Sequence, residues 1–316
     1  MTTETDRARG AMMGALVADA ATMGFHWLYN QERIAKLGGE TPEFRAPNAA
    51  DYQGPEGGLG YFAHGGKRCG EPSHYGAQML AMASAMAAAG AYEAEAYGAA
   101  FRDWFGYGGR WVGYIDRPTR ATLDAMARAE AAEEPITSCG ADDAQLPAVS
   151  KLPALVARHR ADADLMEKVE SAVRLTNNRD DSVLWGRAVA AMIRAAITGA
   201  TPGEAVEAAR GIGERTDAQI DAAMAMKGET TAAVATAHAL HCQLEVAFPV
   251  LTHAIATATD FAAATRANIL AGGDNCGRAI PIGAVLGACF AGDAARDIPT
   301  EWIARVDVPG DLAALF

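Results

Sequence analysis

The sequence Gly272-Gly273-Asp274-Asn275-Cys276-Gly277-Arg278 runs directly into an apolar segment, Ala279 to Ala291. Two glycines followed by a short acid, an amide and a thiol suit the first turn of a helix, where the backbone turns tightly and free N–H groups can face a ligand. This position stabilises a carboxylate and lowers the pKa of a thiol. We therefore predict a helix that begins at this turn, with Asp274, Asn275 and Cys276 at its positive end. A simple N-cap followed by a small buried cysteine is the alternative.

The composition predicts an all-α protein. The 316 residues are 50% hydrophobic but only 7% aromatic, which favours closely packed helices over β-branched strands. A chain of this length can bury a large core in one domain or two. Because no linker, charge block or repeat divides it, we predict a single compact domain over residues 1–316. Most helices should pack around two central ones, Gln78 to Ala89 and Ala279 to Ala291.

Charge and cysteine usage limit the partners and the compartment. The net charge of −12 argues against nucleic-acid and anionic-membrane surfaces and leaves a small-molecule substrate as the expected partner. The five scattered cysteines form no CxxC pair or disulfide framework, which is typical of a reducing cytoplasm. Residues 1–9 do not resemble a signal peptide, and the longest apolar run is too short to span a membrane. We expect a soluble, cytoplasmic protein, and the sequence is compatible with a homo-oligomer.

The segment from Asn30 to Pro72 breaks the helical pattern. Its glycines at positions 54, 57, 58, 60, 65, 66 and 70 predict a loop. The stretch Gly65-Gly66-Lys67-Arg68 lacks the Lys-Ser/Thr ending of a phosphate-binding P-loop. Long irregular segments often act as lids, so we predict that this Gly-rich loop lies over a pocket, with a surface excursion as the alternative. On either side, helices are predicted at Ala11 to Met23, Gln78 to Ala89, Glu93 to Phe105, Glu229 to Cys242, Leu244 to Thr257 and Asp260 to Leu270, with another after a capping box at Thr201.

Several motifs keep a fixed order from residue 10 to about 292. They are Gly14 to Ala20, His26-Trp27 with Tyr29, His74 to Met79, Tyr114 to Asp116 with Thr119, Thr122 and Leu123, Ser138 to Leu155, and Thr176 to Asn178. Together with Gly272 to Arg278, they resemble the ADP-ribosylglycohydrolase family, and more closely its J-crystallin-like branch. The resemblance implies an all-α fold and a hydrolase cleft.

The chain departs from this family at the positions that bind metal. Hydrolytic members hold two magnesium ions with aspartates and threonines, whereas the matching residues here are His74, Tyr75, Gly76, Asp274, Cys276 and Gly277. Magnesium requires oxygen ligands in near-octahedral geometry, and only Asp274 supplies one of the expected kind. We therefore expect no metal cofactor, with magnesium bound through other residues as the alternative. Zinc on His74, Cys276 and Asp274 would suit the ligand types, but the close-spaced ligand pairs usual for zinc are missing.

Further residues are expected to bind the substrate. Asp19 interrupts an apolar helix, where an unpaired carboxylate is costly, so it should be hydrogen-bonded or lie in a cleft. The resemblance places His26 and Trp27 at the cleft mouth, as a proton donor and a stacking platform, with ordinary packing as the alternative. It also places Asp142 and Asp143 in a ribose-contacting loop, although adjacent loop carboxylates are usually solvated. The remaining predicted substrate contacts are Tyr75, Gln78, Asn178, Asn275 and Arg278.

Cys276, Asp274 and His74 are the predicted catalytic residues. A thiol at a helix start can act as a nucleophile, with histidine as proton shuttle and the main-chain N–H groups of residues 275–278 as an oxyanion site. We therefore expect a metal-poor hydrolase of a small C–N-linked substrate, whose bond is N-glycosidic, amide, amidine or ureido. The alternatives are a metal-dependent ADP-ribosyl hydrolase and a non-catalytic, crystallin-like binding or structural protein.

Overall fold

The computed structural model describes residues 2–54 and 57–316, and helices make up most of that chain. The helices are α1 (Glu4–Thr22), α2 (Gln31–Gly38), α3 (His74–Ala89), α4 (Ala94–Phe105), α5 (Arg117–Ala131), α6 (Leu152–His159), α7 (Leu165–Thr176), α8 (Asp180–Ile197), α9 (Pro202–Glu207), α10 (Glu214–Ala225), α11 (Thr231–His238), α12 (Leu244–Ala256), α13 (Phe261–Ala271), α14 (Asn275–Cys289) and α15 (Thr300–Ile303). Two short strands, β1 (Gln53–Gly54) and β2 (Gly57–Gly58), pair antiparallel. The all-α prediction is confirmed, whereas the single-domain organisation stays a prediction.

Helix α14 is the buried axis of the structure and packs most extensively against α1. The two helices cross at paired glycines, Gly10 and Gly14 on α1 and Gly283 and Gly287 on α14. A Cβ built on Gly14 would lie 2.2 Å from the carbonyl oxygen of Gly283, and one built on Gly283 would lie 2.2 Å from that of Gly14. No side chain therefore fits between the backbones. The remaining faces of α14 are covered by α8, α12 and α13.

Of the two helices predicted to be central, one is confirmed and the other is wrong. Helix α14 is central, but its main partner is α1, while α3 packs chiefly against α4 and α6. Helix α1 also begins at Glu4 rather than Ala11, because Thr3 and Asp6 form a capping box that the prediction overlooked. The capping box predicted at Thr201 is confirmed.

The Gly-rich segment contains more regular structure than predicted. Helix α2 lies within it and is capped by Asn30, whose side chain accepts a hydrogen bond from the backbone N–H of Arg33 at 2.8 Å. This helix buries only Ile34 completely, so its apolar pattern was too short to detect. Pro55 and Glu56 of the predicted loop, like Met1, lie outside the described residues.

No helix in the described ranges, 2–54 and 57–316, has both the length and the apolar character needed to cross a membrane.

Candidate functional site

Asp274 is the anchor of a fully buried polar cluster. It is the N-cap of α14, as predicted, and its Oδ1 accepts a hydrogen bond from the backbone N–H of Gly277 at 3.2 Å. The same oxygen lies 3.1 Å from Nε2 of His26, and Oδ2 accepts the hydroxyl of Tyr75 at 2.7 Å. Burial alone would raise the pKa of Asp274, but His26, Tyr75 and the charge of Arg278 together hold it below its usual value. The carboxylate is therefore ionised and fully engaged.

Three histidines from separate parts of the chain meet beside Asp274. His26 follows α1, His64 comes from the Gly-rich segment, and His74 is the first residue of α3. Nδ1 of His26 lies 2.7 Å from Nε2 of His64, and one nitrogen from each of the three rings lies within 4.8 Å of the others. Burial lowers the pKa of His26 and lowers that of His64 well below its usual value. Both rings are therefore neutral at physiological pH.

Trp27 covers the histidines in a strained backbone conformation. Its φ of +60° is unusual for a bulky residue, and strain of this kind often marks a functional site. Its backbone N–H donates to the carbonyl of Gly273 at 2.8 Å, which fixes Trp27 against the start of α14. Gly273 has a φ of +64°, and a Cβ there would lie 2.1 Å from the carbonyl oxygen of Leu240, so only glycine fits.

Aromatic rings surround this cluster. The Trp27 ring stacks on His26 with their centroids 4.1 Å apart. It also meets Tyr114 edge-on at 5.2 Å and contacts Tyr61, which is 56% exposed. Because Tyr61 and His64 both belong to the Gly-rich segment, that segment lies against the cluster. The two tyrosines form a partly exposed aromatic rim above buried polar groups.

Asp116 forms a second carboxylate–histidine pair. Its Oδ2 lies 3.1 Å from Nε2 of His74, and its Oδ1 caps α5 by accepting the N–H of Thr119 at 2.7 Å. The contact with His74 is close but is not aligned as a hydrogen bond. Burial raises the pKa of Asp116, but His74 and Thr119 outweigh it and keep the pKa below its usual value. Gln78 supports this wall by donating to Thr119 at 3.0 Å.

A third carboxylate, Asp143, makes the surroundings acidic. It accepts hydrogen bonds from the backbone of Gln145 at 2.8 Å and from Arg117 at 3.2 Å. The half-buried Cys242 lies within reach of all three carboxylates: burial raises the pKa of its thiol, and the charges of Asp274, Asp143 and Asp116 raise it further. We conclude that the three carboxylates form one acidic region, which adjoins the aromatic rim where His74 meets Tyr114.

Sequence reasoning missed His64, Cys242 and the contact of Asp116 with His74. His64 lies in an irregular glycine-rich stretch and Cys242 in no motif, so neither carried a local signal. Asp116 belongs to a family motif, but the motif does not indicate a contact with His74. Asn177, rather than the predicted Asn178, reaches Asp143, with Nδ2 to Oδ1 at 3.4 Å.

Two predicted substrate contacts lie at the surface. The side chain of Asp142 is 88% exposed and lies 3.6 Å from Arg179. Asn178 is exposed and accepts a hydrogen bond from Arg174 at 3.2 Å. The structure therefore does not bring either residue into the buried cluster.

Asn275 and Arg278 stabilise the turn that precedes α14. Arg278 is completely buried, and it donates to the side chain of Asn268 at 3.1 Å and to the backbone carbonyl of Gly272. Asn275 donates to the carbonyls of Phe25 and Ile269. The predicted anion-binding role of Arg278 is wrong, because its charge is used inside the protein.

The predicted activation of Cys276 is also wrong. Its side chain is 0% exposed and packs in the core, with Sγ 3.9 Å from the carbonyl oxygen of Asp19. Burial raises the pKa of the thiol well above its usual value, and the charges of Asp19 and Asp274 raise it further. The helix dipole does not overcome these effects. The predicted oxyanion site fails too, because the backbone N–H groups of residues 275, 277 and 278 already donate to Gly273 or Asp274.

Cys276 is expected to resist thiol reagents in the native protein, because it has no access to solvent. Under native conditions, Ellman's reagent should label Cys139 while Cys276 reacts only after unfolding. Cys276→Ala should remove one thiol from the total released in denaturant and leave the native labelling phase unchanged. The matched variant Cys139→Ala should reduce the native phase instead. Rapid native labelling lost specifically in Cys276→Ala would restore Cys276 as a candidate nucleophile.

Asp19 is hydrogen-bonded, as predicted, and it joins α1 to the start of α3. Its Oδ1 accepts the hydroxyl of Ser73 at 2.5 Å, and its Oδ2 accepts the backbone N–H of Ser73 at 2.8 Å. Burial raises the pKa of Asp19 to about 6, although the bonds from Ser73 oppose the shift.

This shift gives stability an unusual dependence on pH. Because the folded protein holds the Asp19 proton more tightly than the unfolded chain, whose pKa is near 3.8, the stability contributed by this group falls as pH rises from about 4 to about 6. The loss is expected to reach about 3 kcal/mol, since each unit of pKa shift corresponds to about 1.4 kcal/mol. Urea unfolding at pH 4.5, 5.5 and 6.5 should show this slope in the wild type and in Asp142→Asn, and a flatter one in Asp19→Asn. Equal slopes in all three proteins would contradict the assignment.

The positions that match the family's magnesium ligands do not fit a two-magnesium centre. The hydroxyl of Tyr75 is used by Asp274, the sulfur of Cys276 is buried, and a Cβ on Gly76 would lie 2.4 Å from Oδ2 of Asp19. Magnesium would find too few oxygen ligands among these groups. That the protein works without a cofactor stays a prediction.

Comparisons with known proteins agree with the motifs. The family model described as ADP-ribosylglycohydrolase matches residues 1–315. Crystallin J1A of Tripedalia cystophora is 25% identical over 318 residues, which cover 95% of this chain and 92% of the crystallin. A solved structure described as an ADP-ribosylglycohydrolase-related protein complex shares the fold, with a TM-score of 0.67 at 19% identity over 100% of this chain and 97% of that one. The chain therefore belongs to the ADP-ribosylglycohydrolase family, and its similarity to crystallin J1A supports the J-crystallin-like branch.

Proposed function

We propose that this protein hydrolyses the N-glycosidic bond of a small substrate in a cleft at the acidic region of Asp116, Asp143 and Asp274. The observation that carries the proposal is the convergence of three buried histidines, two of which contact Asp116 and Asp274. Cleavage of a bond between a sugar carbon and nitrogen develops positive charge on the sugar, and negative side chains stabilise that transition state. Family membership supports a hydrolase, while the residue types in the cleft support this bond.

An amide, amidine or ureido substrate suits the cleft less well. Hydrolysis of those bonds builds negative charge on oxygen or nitrogen, which requires donors aimed at the reacting group. The helix start that was expected to supply them is occupied by Asp274, and the surrounding carboxylates would repel a developing anion. We therefore propose that catalysis takes place at the histidine cluster and that Cys276 only packs in the core.

The rim is suited to binding a planar or sugar-bearing group. Tyr61 and Tyr114 lie with their ring centroids 5.6 Å apart, beside Trp27, and aromatic faces pack well against bases and sugars. Arg117 and Gln145 hold Asp143 in place, and we infer that its carboxylate accepts hydrogen bonds from substrate hydroxyls. This arrangement supports an N-riboside or a related ADP-ribosyl compound as the substrate class.

The test is turnover of a panel of N-glycosides, including nucleosides, nicotinamide riboside and ADP-ribosylated arginine, with the released sugar detected by mass spectrometry. Asp116→Asn should reduce kcat by about 100-fold or more, because His74 loses its charged partner. Asp162→Asn removes the partner of another histidine, His159, outside the cleft and should keep full activity. Cys276→Ala should also remain active. Failure to cleave any member of the panel, or unchanged turnover in Asp116→Asn, would refute the proposal.

A non-catalytic role is the second candidate. It is favoured by the complete burial of His26 and His74, each 0% exposed, which is compatible with a purely structural network. In that case the wild type would be folded but inactive towards the whole panel, and Asp116→Asn would change stability alone.

A further inference from the structure

We propose that His26, His64 and His74 together bind one divalent transition-metal ion, and that zinc is the ion these ligands suit best. The inference rests on the proposed function for what the ion does, but binding of the ion can be tested separately. The site differs from a two-magnesium centre in position, ligand type and number of ions.

The three rings present the required nitrogens. Nε2 of His26 is directed to Asp274, and Nε2 of His74 lies beside Asp116, so Nδ1 is the nitrogen of each ring that does not face a carboxylate. His64 directs Nε2 towards His26. Nitrogens bound to one tetrahedral zinc ion lie about 3.3 Å apart, given zinc–nitrogen distances of roughly 2.0–2.1 Å. The His26–His64 pair at 2.7 Å therefore needs to open by only about 0.6 Å, which a side chain from an irregular segment allows.

The outer partners are those of metal-binding histidines. A histidine that binds a metal usually gives its other nitrogen to a carboxylate or carbonyl, which orients the ring and increases its basicity. Asp274 is the carboxylate beside Nε2 of His26, and Asp116 is the carboxylate beside Nε2 of His74. Two carboxylate–histidine pairs that converge on one point are uncommon in a buried core, where an unpaired charge is costly. A dication between them would balance both negative charges.

The cluster also lacks enough hydrogen-bond partners of its own. In residues 2–54 and 57–316, neither ring nitrogen of His74 has an aligned hydrogen-bond partner, although both atoms are buried. Buried polar atoms are nearly always paired, so the unpaired nitrogens of His74 point to a bound group.

Three protein ligands would leave a fourth position for water, as in catalytic zinc sites. Zinc lowers the pKa of its water to about 7 and so supplies hydroxide at neutral pH. The hydroxide oxygen bonds to the sugar carbon, the C–N bond breaks with its electron pair going to nitrogen, and the proton lost by the water ends on that nitrogen. The aromatic rim and the three carboxylates would hold the sugar for this step.

The ion would also fasten the Gly-rich segment to the core, because only His64 comes from that segment. Arg68 lies four residues further along, with an 80% exposed side chain, and it is a natural trypsin site. Metal binding should therefore slow tryptic cleavage at Arg68, which gives a readout independent of activity.

The experiment uses the full chain, stripped with a chelator and then titrated with zinc alone. We expect one zinc per chain by elemental analysis, absorption bands of tetrahedral cobalt after Co²⁺ substitution, and slower cleavage at Arg68. His64→Ala and His74→Gln should each weaken binding by about 100-fold or more, and Asp116→Asn by about 10- to 100-fold. The matched variant His238→Ala removes a partly buried histidine outside the cluster and should bind like the wild type. Native circular dichroism of each variant confirms that it is folded.

Stoichiometric binding lost in folded His64→Ala supports the site. No stoichiometric binding, or equal binding in His64→Ala and His238→Ala, overturns it. The two proposals can fail separately. Zinc binding without cleavage of any N-glycoside would leave the metal site standing and refute the proposed function. Full hydrolysis by chelator-treated protein that also fails to bind zinc would refute the metal site and leave the proposed function standing.

Discussion

Gly283→Val is expected to lower the free energy of unfolding by about 4 kcal/mol or more, as overpacking at a rigid backbone contact is among the most damaging single changes. The first added carbon would lie 2.2 Å from the carbonyl oxygen of Gly14 and 2.7 Å from Cβ of Ala18. Neither atom can move alone, because one is a backbone oxygen of α1 and the other is a Cβ bonded directly to its backbone. The two central helices would have to separate. Chemical denaturation monitored by circular dichroism measures the loss.

Gly203→Val is the matched control. Gly203 also lies in a helix, near the start of α9, but a Cβ there would meet nothing within 4 Å. This variant should unfold within about 1 kcal/mol of the wild type, because only helix propensity changes. Similar losses in the two variants would show that the close approach of α1 and α14 is not what makes Gly283 necessary.

The helix crossing illustrates what the sequence could and could not provide. Gly10 and Gly14 are four residues apart, as are Gly283 and Gly287, so each pair lies on one helix face. Neither sequence indicates that these two helix faces contact each other. The prediction of α14 itself succeeded because Asp274, Gly272 and Gly273 act within a few residues of each other. The choice of α1 as its partner depends on packing across more than 260 residues.

The same distinction explains the candidate site. Local chemistry correctly indicated that Asp274 caps a helix, but the state of Cys276 depends on α1, which seals it. A helix start lowers a thiol pKa only where solvent or a cation stabilises the thiolate, and burial reversed that expectation. His64 was missed because its contact with His26 spans 38 residues and leaves no periodic pattern. The family resemblance identified His26, Trp27, His74 and Tyr75, but it did not indicate that His64 joins them.

Asp274→Asn is expected to lower the free energy of unfolding by about 3–5 kcal/mol, the usual cost of removing one charge from a buried pair. The carboxylate accepts from Nε2 of His26, the hydroxyl of Tyr75 and the N–H of Gly277 at once. An asparagine has one acceptor oxygen, and its NH₂ group would face a donor. Arg278, which is completely buried, would also lose the negative charge of Asp274 that helps to stabilise it. Urea unfolding at neutral pH measures the effect.

The pH dependence of Asp274→Asn separates a lost charge from lost packing, because the amide has nearly the same shape as the carboxylate. In the wild type the pKa of Asp274 is lower when folded than when unfolded, so its contribution is complete above the unfolded value of 3.8 and is lost as pH falls through the lower, folded value. The deficit of Asp274→Asn relative to the wild type should therefore shrink in strong acid. Asp142→Asn, which changes an exposed carboxylate, should follow the wild type throughout. A deficit that stays constant from neutral pH to pH 2 would mean that Asp274 acts through shape alone. A neutral pH deficit under about 1 kcal/mol would mean that the histidine cluster does not need its charge.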